Sequence, residues 1–375
     1  MRDQPSAAGW PSDPTANVAI ADTTGDQVDP LVLADAGGGM LCVWTDRRRN
    51  FPDCRIQRLD ASGNVAAGWP AQGINITVAT SGAFSSAVVR SGPDAVIVCW
   101  QDALFPQLLH AQKVDTSGVL HWPTPGVLVS SNPGPAVEAA VALPDGGAMV
   151  FMRRSFGFTT DTVNVMRIDG AGQRVWPQEL VLCDAVGTQE GFKALAVSDS
   201  EVIVMWRDGR TTPLFLDPQQ RELYAQKLTL DGTEVWGHNG IRILSAQTYS
   251  AYPLPNGAGG FVATCGFSPT STRGDLKLVN IGPDGAPMPG WPEDGLVIAN
   301  DPNASETGVV SVAPTEGSIL LIWWDSYTQS RLKALKISAA GEILWPNGGI
   351  ALFDTTATLA GASTAPDGNG GAFVA

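Results

Sequence analysis

Residues 201–236 read EVIVMWRDGRTTPLFLDPQQRELYAQKLTLDGTEVW. Val202 to Met205 form an apolar run that enters Trp206, Arg207 and Asp208, and a polar, proline-containing link follows. Tyr224-Ala-Gln-Lys-Leu228 then alternates toward the turn at Asp231-Gly232, and Trp236 follows that glycine by four residues. Alternation with period two, punctuated by glycine turns and enriched in β-branched and aromatic residues, is the pattern of short strands.

The same unit recurs along the chain. Trp10, Trp69, Trp122, Trp176, Trp236, Trp291 and Trp345 are spaced by 59, 53, 54, 60, 55 and 54 residues, a mean period of about 56. A second series precedes it in each period, as Trp44-Thr-Asp46, Trp100-Gln-Asp102, Trp206-Arg-Asp208 and Trp323-Trp-Asp325, with Met152-Arg153-Arg154 and Cys265-Gly266-Phe267 in the third and fifth places. Each period contains four strands: a first run such as Pro30 to Ala34, the Trp-x-Asp strand, a Gln-Lys or Gln-Arg strand, and a strand after Trp-Pro. No segment sustains a helical period.

Four antiparallel strands per period of 40–60 residues is the mark of a propeller blade. The expected fold is therefore all-β: a β-propeller of about seven four-stranded blades in one domain over 1–375. Six periods are complete, from Val28 to Phe353. The seventh is split and incomplete, with two strands in 354–375 and a fourth strand in 7–20. Either the ends meet to close it or the sequence is part of a longer chain; Trp10 beside Ala372 to Val374 would mark closure. A single sheet cannot bury both its faces, so stacked repeats must do so. Trp44, Trp69, Trp100, Trp122, Trp176, Trp206, Trp236, Trp291 and Trp345 are expected in those contacts.

The unit Gly-Gly-x-hydrophobic-Val-x-Trp-x-Asp-x-Arg, then Tyr-Ala-Gln-Lys-Leu, then Asp-x-x-Gly-x-x-x-Trp resembles the repeats of secreted bacterial β-propeller proteins. Val43 to Arg47 and Leu223 to Leu228 carry the likeness. Those proteins often end in an immunoglobulin-like or type IX secretion sorting domain. The resemblance implies an extracellular or cell-surface protein and brings no catalytic residues, although 1–375 contains neither a signal peptide nor a sorting domain.

Composition narrows the partners. The chain has 23 basic and 37 acidic residues, a formal charge of −14, which disfavours nucleic acid and anionic membranes. No apolar stretch is long enough to insert in a membrane. Cys42, Cys54, Cys99, Cys183 and Cys265 are scattered inside apolar runs and read as buried hydrophobes. His110, His121 and His238 have no metal-type spacing, so no metal or other cofactor is expected.

The links between second and third strands are the long, variable ones: 46–53, 102–107, 153–161, 208–222, 266–274 and 325–331. Variable loops on a rigid scaffold are where ligands bind. Asp46, Arg47, Arg48, Asp102, Phe105, Arg153, Arg207, Asp208, Arg210 and Asp325 are the candidate ligand-binding residues on that face, with arginines suited to carboxylates or sulfates. A competing reading makes the repeated aspartates and neighbouring arginines internal ties. The function expected is noncatalytic binding of a protein or glycan by a monomer. The alternative is a polysaccharide-active or sialidase-like enzyme, for which Thr229 to Trp236 offers a weak aspartate-box likeness without a nameable acid pair.

Overall fold

The computed structural model describes residues 18–374 apart from 36, 78–81, 157–159, 212–220, 246, 271–272, 302–304, 316–317, 327–329, 347, 356–363 and 367–371. Among the described residues every regular element is a strand. The first sheet comprises β1 (Gln27–Ala34), β2 (Met40–Asp46), β3 (Asp53–Leu59) and β4 (Ile74–Asn75), and the second β5 (Ala83–Arg90), β6 (Ala95–Asp102), β7 (Leu109–Asp115) and β8 (Val127–Ser130). The third is built from β9 (Ala136–Ala142), β10 (Ala148–Ser155), β11 (Asp161–Ile168) and β12 (Leu180–Cys183), and the fourth from β13 (Gln189–Ala196), β14 (Glu201–Asp208), β15 (Glu222–Thr229) and β16 (Ile241–Leu244). β17 (Thr248–Pro255), β18 (Phe261–Thr270), β19 (Arg273–Ile281) and β20 (Leu296–Ala299) form the fifth, and β21 (Ser305–Thr315), β22 (Ser318–Ser326), β23 (Ser330–Ser338) and β24 (Ile350–Thr355) the sixth. A hairpin of β25 (Thr364–Pro366) and β26 (Ala372–Val374) comes last. Each sheet is a meander in chain order. The chain divides into two compact units, 1–154 with 163–181, and 155–162 with 182–375.

Second strands such as β2, β6, β14 and β18 are buried along nearly their whole length, which is why they read as continuous apolar runs rather than half-polar alternation. Alternate residues serve opposite neighbours. Phe261, Ala263 and Cys265 of β18 pack with Ile243 and Leu244 of the fourth sheet, while Val262 packs with Ile319, Leu321 and Trp323 of the sixth. In the first unit, Leu41, Val43 and Ile56 meet Val96, Val98 and Trp100 in the same way.

In the first, second, fourth and fifth sheets, the tryptophan ahead of the fourth strand ties sheet to sheet by its indole proton. Trp69 Nε1 donates to the carbonyl of Thr116 at 2.9 Å, and Trp122 Nε1 to that of Gly170 at 3.3 Å, in both cases on the next sheet's third-to-fourth turn. Gly172, at φ +81, lies against the Trp122 ring so closely that a Cβ would come to 2.9 Å. Seven of the nine expected tryptophans are buried; Trp236 and Trp345 are half-buried instead. Trp10 and the proposed closure beside Ala372 to Val374 lie outside the described residues or side chains.

Two links expected to be long are short. β18 and β19 pair through Gly266 with Leu276 and on to Thr270 with Arg273, and β22 and β23 through Asp325 with Arg331 to Ser326 with Ser330. Gly266, Gly274, Asp325 and Arg331 are therefore strand residues. The polar character of these segments suggested loops, but strand pairing runs into them, with an irregularity between Phe267 and Thr270. All five cysteines are free and buried, and burial pushes the Cys42 thiol up to about 11 and Cys99 to about 12.

Candidate functional site

The aspartate of each Trp-x-Asp motif is the last or nearly the last residue of its strand, turned inward. Asp46 is fully buried and accepts from Trp44 Nε1 at 3.2 Å, Arg48 Nε at 2.7 Å, Arg48 Nη2 at 2.5 Å and the Arg48 backbone N–H at 3.1 Å. Burial pushes its carboxyl up, but the Arg48 and Trp44 hydrogen bonds outweigh this and hold it below the ordinary value. Asp208 repeats the geometry with Trp206 Nε1 at 2.7 Å, Arg210 Nε at 2.9 Å and Arg210 Nη2 at 2.7 Å. The Arg210 guanidinium also lies 3.9 Å from the Tyr224 ring centroid. A planar donor fork against a carboxylate is a strong, directional tie, and here it closes the start of the second-to-third link.

The other copies vary the partner. Asp102 meets His110 Nε2 at 3.2 Å, and Asp325 meets Lys333 Nζ at 2.6 Å. His110 and Lys333 each pair with the motif tryptophan across the ladder, Trp100 and Trp323. Arg153 pairs with Glu138 at 3.0 Å and Arg207 with Glu190 at 3.1 Å, both half-buried on their own sheets. Of the candidate residues, Arg47 and Phe105 are exposed. Phe105 is 85 % exposed.

Phe105 belongs to a group that sequence reading did not assemble. The 47–52 and 103–108 links lie side by side, joined through the start of β5: Ala83 N donates to Pro52 O at 2.7 Å and Ala103 N to Gly82 O at 3.2 Å. Gly82 has φ +67, and a Cβ there would come to 3.0 Å from Ala103 Cβ and 3.2 Å from Phe51 Cβ, so glycine suits both the backbone and the close approach of the loops. On the outside stand Phe51 and Leu104, each 45 % exposed, and Phe105. Behind them the 131–135 crossover is attached, with Gly134 N donating to Pro106 O at 3.3 Å. Arg49 beside this edge is largely exposed and reaches Asp53 at 3.5 Å. Exposed large apolar side chains on loops held by backbone bonds form a surface suited to stacking against a ligand. The pairing of short links by a single glycine is invisible in residue order, although Phe51-Pro52 and Phe105-Pro106 carry the same dipeptide at the same place in successive repeats.

Among the described residues no group of three or more His, Cys, Asp and Glu side chains is arranged to hold a metal ion. Among them, too, no helix is long and apolar enough to cross a membrane.

No protein-family model matches the chain, and no curated protein matches it. Similarity appears among solved structures. An ulvan lyase of a polysaccharide lyase family superposes with a TM-score of 0.52 at 9 % identity, over 93 % of this chain and 88 % of the lyase. Prolyl oligopeptidase B from Galerina marginata gives 0.48 at 10 % identity over 93 % of this chain, which spans only 47 % of that enzyme. An endo-arabinase from Bacteroides thetaiotaomicron gives 0.37 at 11 % identity, over 68 % of this chain and 93 % of the enzyme. Among the described residues the structure is thus all-β, with six four-stranded antiparallel meanders and a two-stranded hairpin, and its fold is similar to that of ulvan lyase.

Proposed function

We propose that the chain is a β-propeller of about seven blades, of the kind found in secreted bacterial repeat proteins, and that it binds carbohydrate without turning it over. The observation that carries this reading is the cluster of Phe51, Leu104 and Phe105 on two loops locked together through β5. Aromatic rings offer the apolar faces of sugar rings a flat partner, and Arg47 and Arg49 at the same edge suit carboxylate or sulfate substituents. Carbohydrate is the first ligand class to test because the scaffold resembles that of an enzyme that acts on the polysaccharide ulvan.

The noncatalytic part of the reading rests on how the repeated carboxylates are used. Asp46, Asp102, Asp208 and Asp325 are each engaged with a neighbouring basic side chain of the same sheet. That pattern supports the structural role for these aspartates and leaves Arg47 and Phe105 as the ligand-facing members of the candidate set. An extracellular or cell-surface location is what the repeat resemblance implies.

Screening the 375-residue protein against acidic and neutral polysaccharides, with parallel assays for reducing ends and unsaturated products, tests the proposal. Saturable binding without product supports it. Product release identifies the polysaccharide-active enzyme instead, and absence of binding to every glycan removes carbohydrate as the ligand.

A further inference from the structure

At the end of the fourth sheet that carries the 208–222 link, the basic and acidic side chains do not pair off evenly. Arg210 is taken by Asp208 at 2.7 Å and Arg242 by Glu222 at 3.3 Å. Arg207 and Arg221 are left to share one carboxylate oxygen: Glu190 Oε1 lies 3.1 Å from Arg207 Nη2 and 3.6 Å from Arg221 Nε. Two guanidinium groups against one carboxylate leave a positive charge unbalanced, in a chain whose formal charge is −14.

The ladder brings these groups together. Glu190 pairs with Arg207 across β13 and β14, and Arg221 immediately precedes Glu222, which pairs with Asp208 across β14 and β15. Both guanidinium groups lie close against glycine. A Cβ on Gly209 would come to 3.2 Å from Arg221 Nη1 and 3.0 Å from Thr188 Oγ1, and a Cβ on Gly191 to 3.1 Å from Arg207 Nε. The backbone around them is tied down, since Gly209 N donates to Thr188 O at 2.9 Å and Thr248 N to Arg221 O at 2.7 Å. Only 12 % of the Arg221 side chain is exposed, and its buried Nε has no hydrogen-bond partner among the described residues. A buried donor without an acceptor carries an uncompensated desolvation cost. An oxyanion is the group that meets a planar guanidinium fork with two parallel hydrogen bonds.

We propose that Arg221 and Arg207, with the Thr188 hydroxyl beside them, form a binding site for one oxyanion, the carboxylate of a uronic acid or a sulfate group. Glu190 is the internal competitor: it supplies part of the negative charge in the free protein, and with 31 % of its side chain exposed it can turn aside into solvent. The site goes beyond the carbohydrate reading and uses none of Phe51, Leu104 and Phe105, so either stands without the other.

Titration calorimetry of the 375-residue protein with sodium glucuronate and with sodium sulfate tests the site, at an ionic strength fixed with sodium chloride and with glucose as the uncharged control. Saturable one-to-one binding of glucuronate, of sulfate or of both is expected, and which of them binds names the anion. Arg221→Gln is expected to weaken binding about tenfold or more, and Arg221→Lys, which keeps the charge and loses the fork, several-fold. Glu190→Gln removes the competing charge and is expected to tighten binding several-fold, a change that misfolding cannot produce. Arg242→Gln, whose parent side chain is committed to Glu222, is expected to bind as the parent does. The proposal is overturned if neither anion saturates, if glucose binds as well as glucuronate, if Arg221→Gln binds as tightly as the parent, or if Glu190→Gln binds no more tightly. It is also overturned if Arg242→Gln loses as much affinity as Arg221→Gln, because the anion would then respond to surface charge alone.

Discussion

Arg154 grips Glu179 with two charge-assisted hydrogen bonds, Nε to Oε2 at 2.6 Å and Nη2 to Oε1 at 2.5 Å. Arg154 stands in the third repeat where the first and fourth carry Asp46 and Asp208, so the polarity of the tie is reversed while its place is kept. Both side chains are at least nine-tenths buried. Arg154 also reaches Ser130 Oγ at 2.7 Å and Pro133 O at 3.0 Å. Removing one partner leaves an uncompensated buried charge: Arg154→Met is expected to cost about 3–5 kcal/mol, and Arg154→Met with Glu179→Leu less than that. Urea unfolding of the two single variants and the double closes the cycle; a double variant as unstable as the worse single would contradict the pairing.

The same pair sets a pH dependence. Burial pushes the Glu179 carboxyl up, but hydrogen bonds from Arg154 and Ser130 outweigh it and hold the group below 4.5. A carboxyl depressed in the folded state contributes stability that is present above 4.5 and lost as pH falls through its folded value. Glu179→Gln should therefore lose its stability deficit relative to the parent progressively below pH 4.5, read as converging urea midpoints.

Gln112 makes a second internal tie. It is fully buried; its Nε2 donates to Trp122 O at 3.1 Å, and its Oε1 accepts from Lys113 N and Trp122 N, both at 2.9 Å. Related ties recur elsewhere: Gln57 donates to Pro70 O and accepts from Arg58 N, and Gln226 donates to Glu234 Oε2 and accepts from Lys227 N and Trp236 N. Gln112→Leu orphans these backbone groups at about 1–3 kcal/mol each, so a melting temperature several degrees lower is expected. Gln112→Glu, which keeps the acceptors but loses the donor, is expected to be destabilising for burying a carboxylate there.

These ties show where residue order was informative. Repeat period, strand number and the burial of Trp44, Trp100 and Trp206 follow from pattern, because a buried two-faced strand needs a continuous apolar run. The internal role of Asp46 and Asp208 was one of two readings; coordinates were needed because a guanidinium two residues on can fold back or point outward with the same spacing. The Phe51–Phe105 neighbourhood was not legible, since it depends on the Gly82 approach between sheets. The glutamine was recognised as part of the motif, but its tie to Trp122 reaches across to the turn ahead of the fourth strand.

Glu306 illustrates a cost carried by the fold. Burial pushes its carboxyl above the ordinary value, and the charges of Asp275 and Asp325 push it further in the same direction, against a hydrogen bond from Asp301 N. Because the folded state holds the proton more tightly than the unfolded one, stability falls as pH rises from 4.5 through the folded value, and the penalty is complete above it. Glu306→Gln keeps an acceptor for Asp301 N and removes the charge. It is expected to raise the melting temperature at pH 8 and to have little effect at pH 4; a variant less stable than the parent at pH 8 would refute this account.

Phe105 offers the sharpest separation of binding from stability. With 85 % of its surface exposed, truncation removes little packing, and Phe105→Ala should change stability by less than about 0.5 kcal/mol. If the loop cluster stacks on ligand, the same change should weaken polysaccharide binding by about 1–3 kcal/mol, and Phe51→Ala should weaken it less because Phe51 is only 45 % exposed and presents less surface to a ligand. Asp208→Asn supplies the contrast: it disturbs the buried tie to Arg210 and Trp206, so it should lower the melting temperature while leaving affinity at the Phe105 edge unchanged. Titration calorimetry with the tightest polysaccharide from the screen, run beside thermal melts of the three variants, reads both axes. Equal loss of affinity in Asp208→Asn and Phe105→Ala would place the ligand elsewhere.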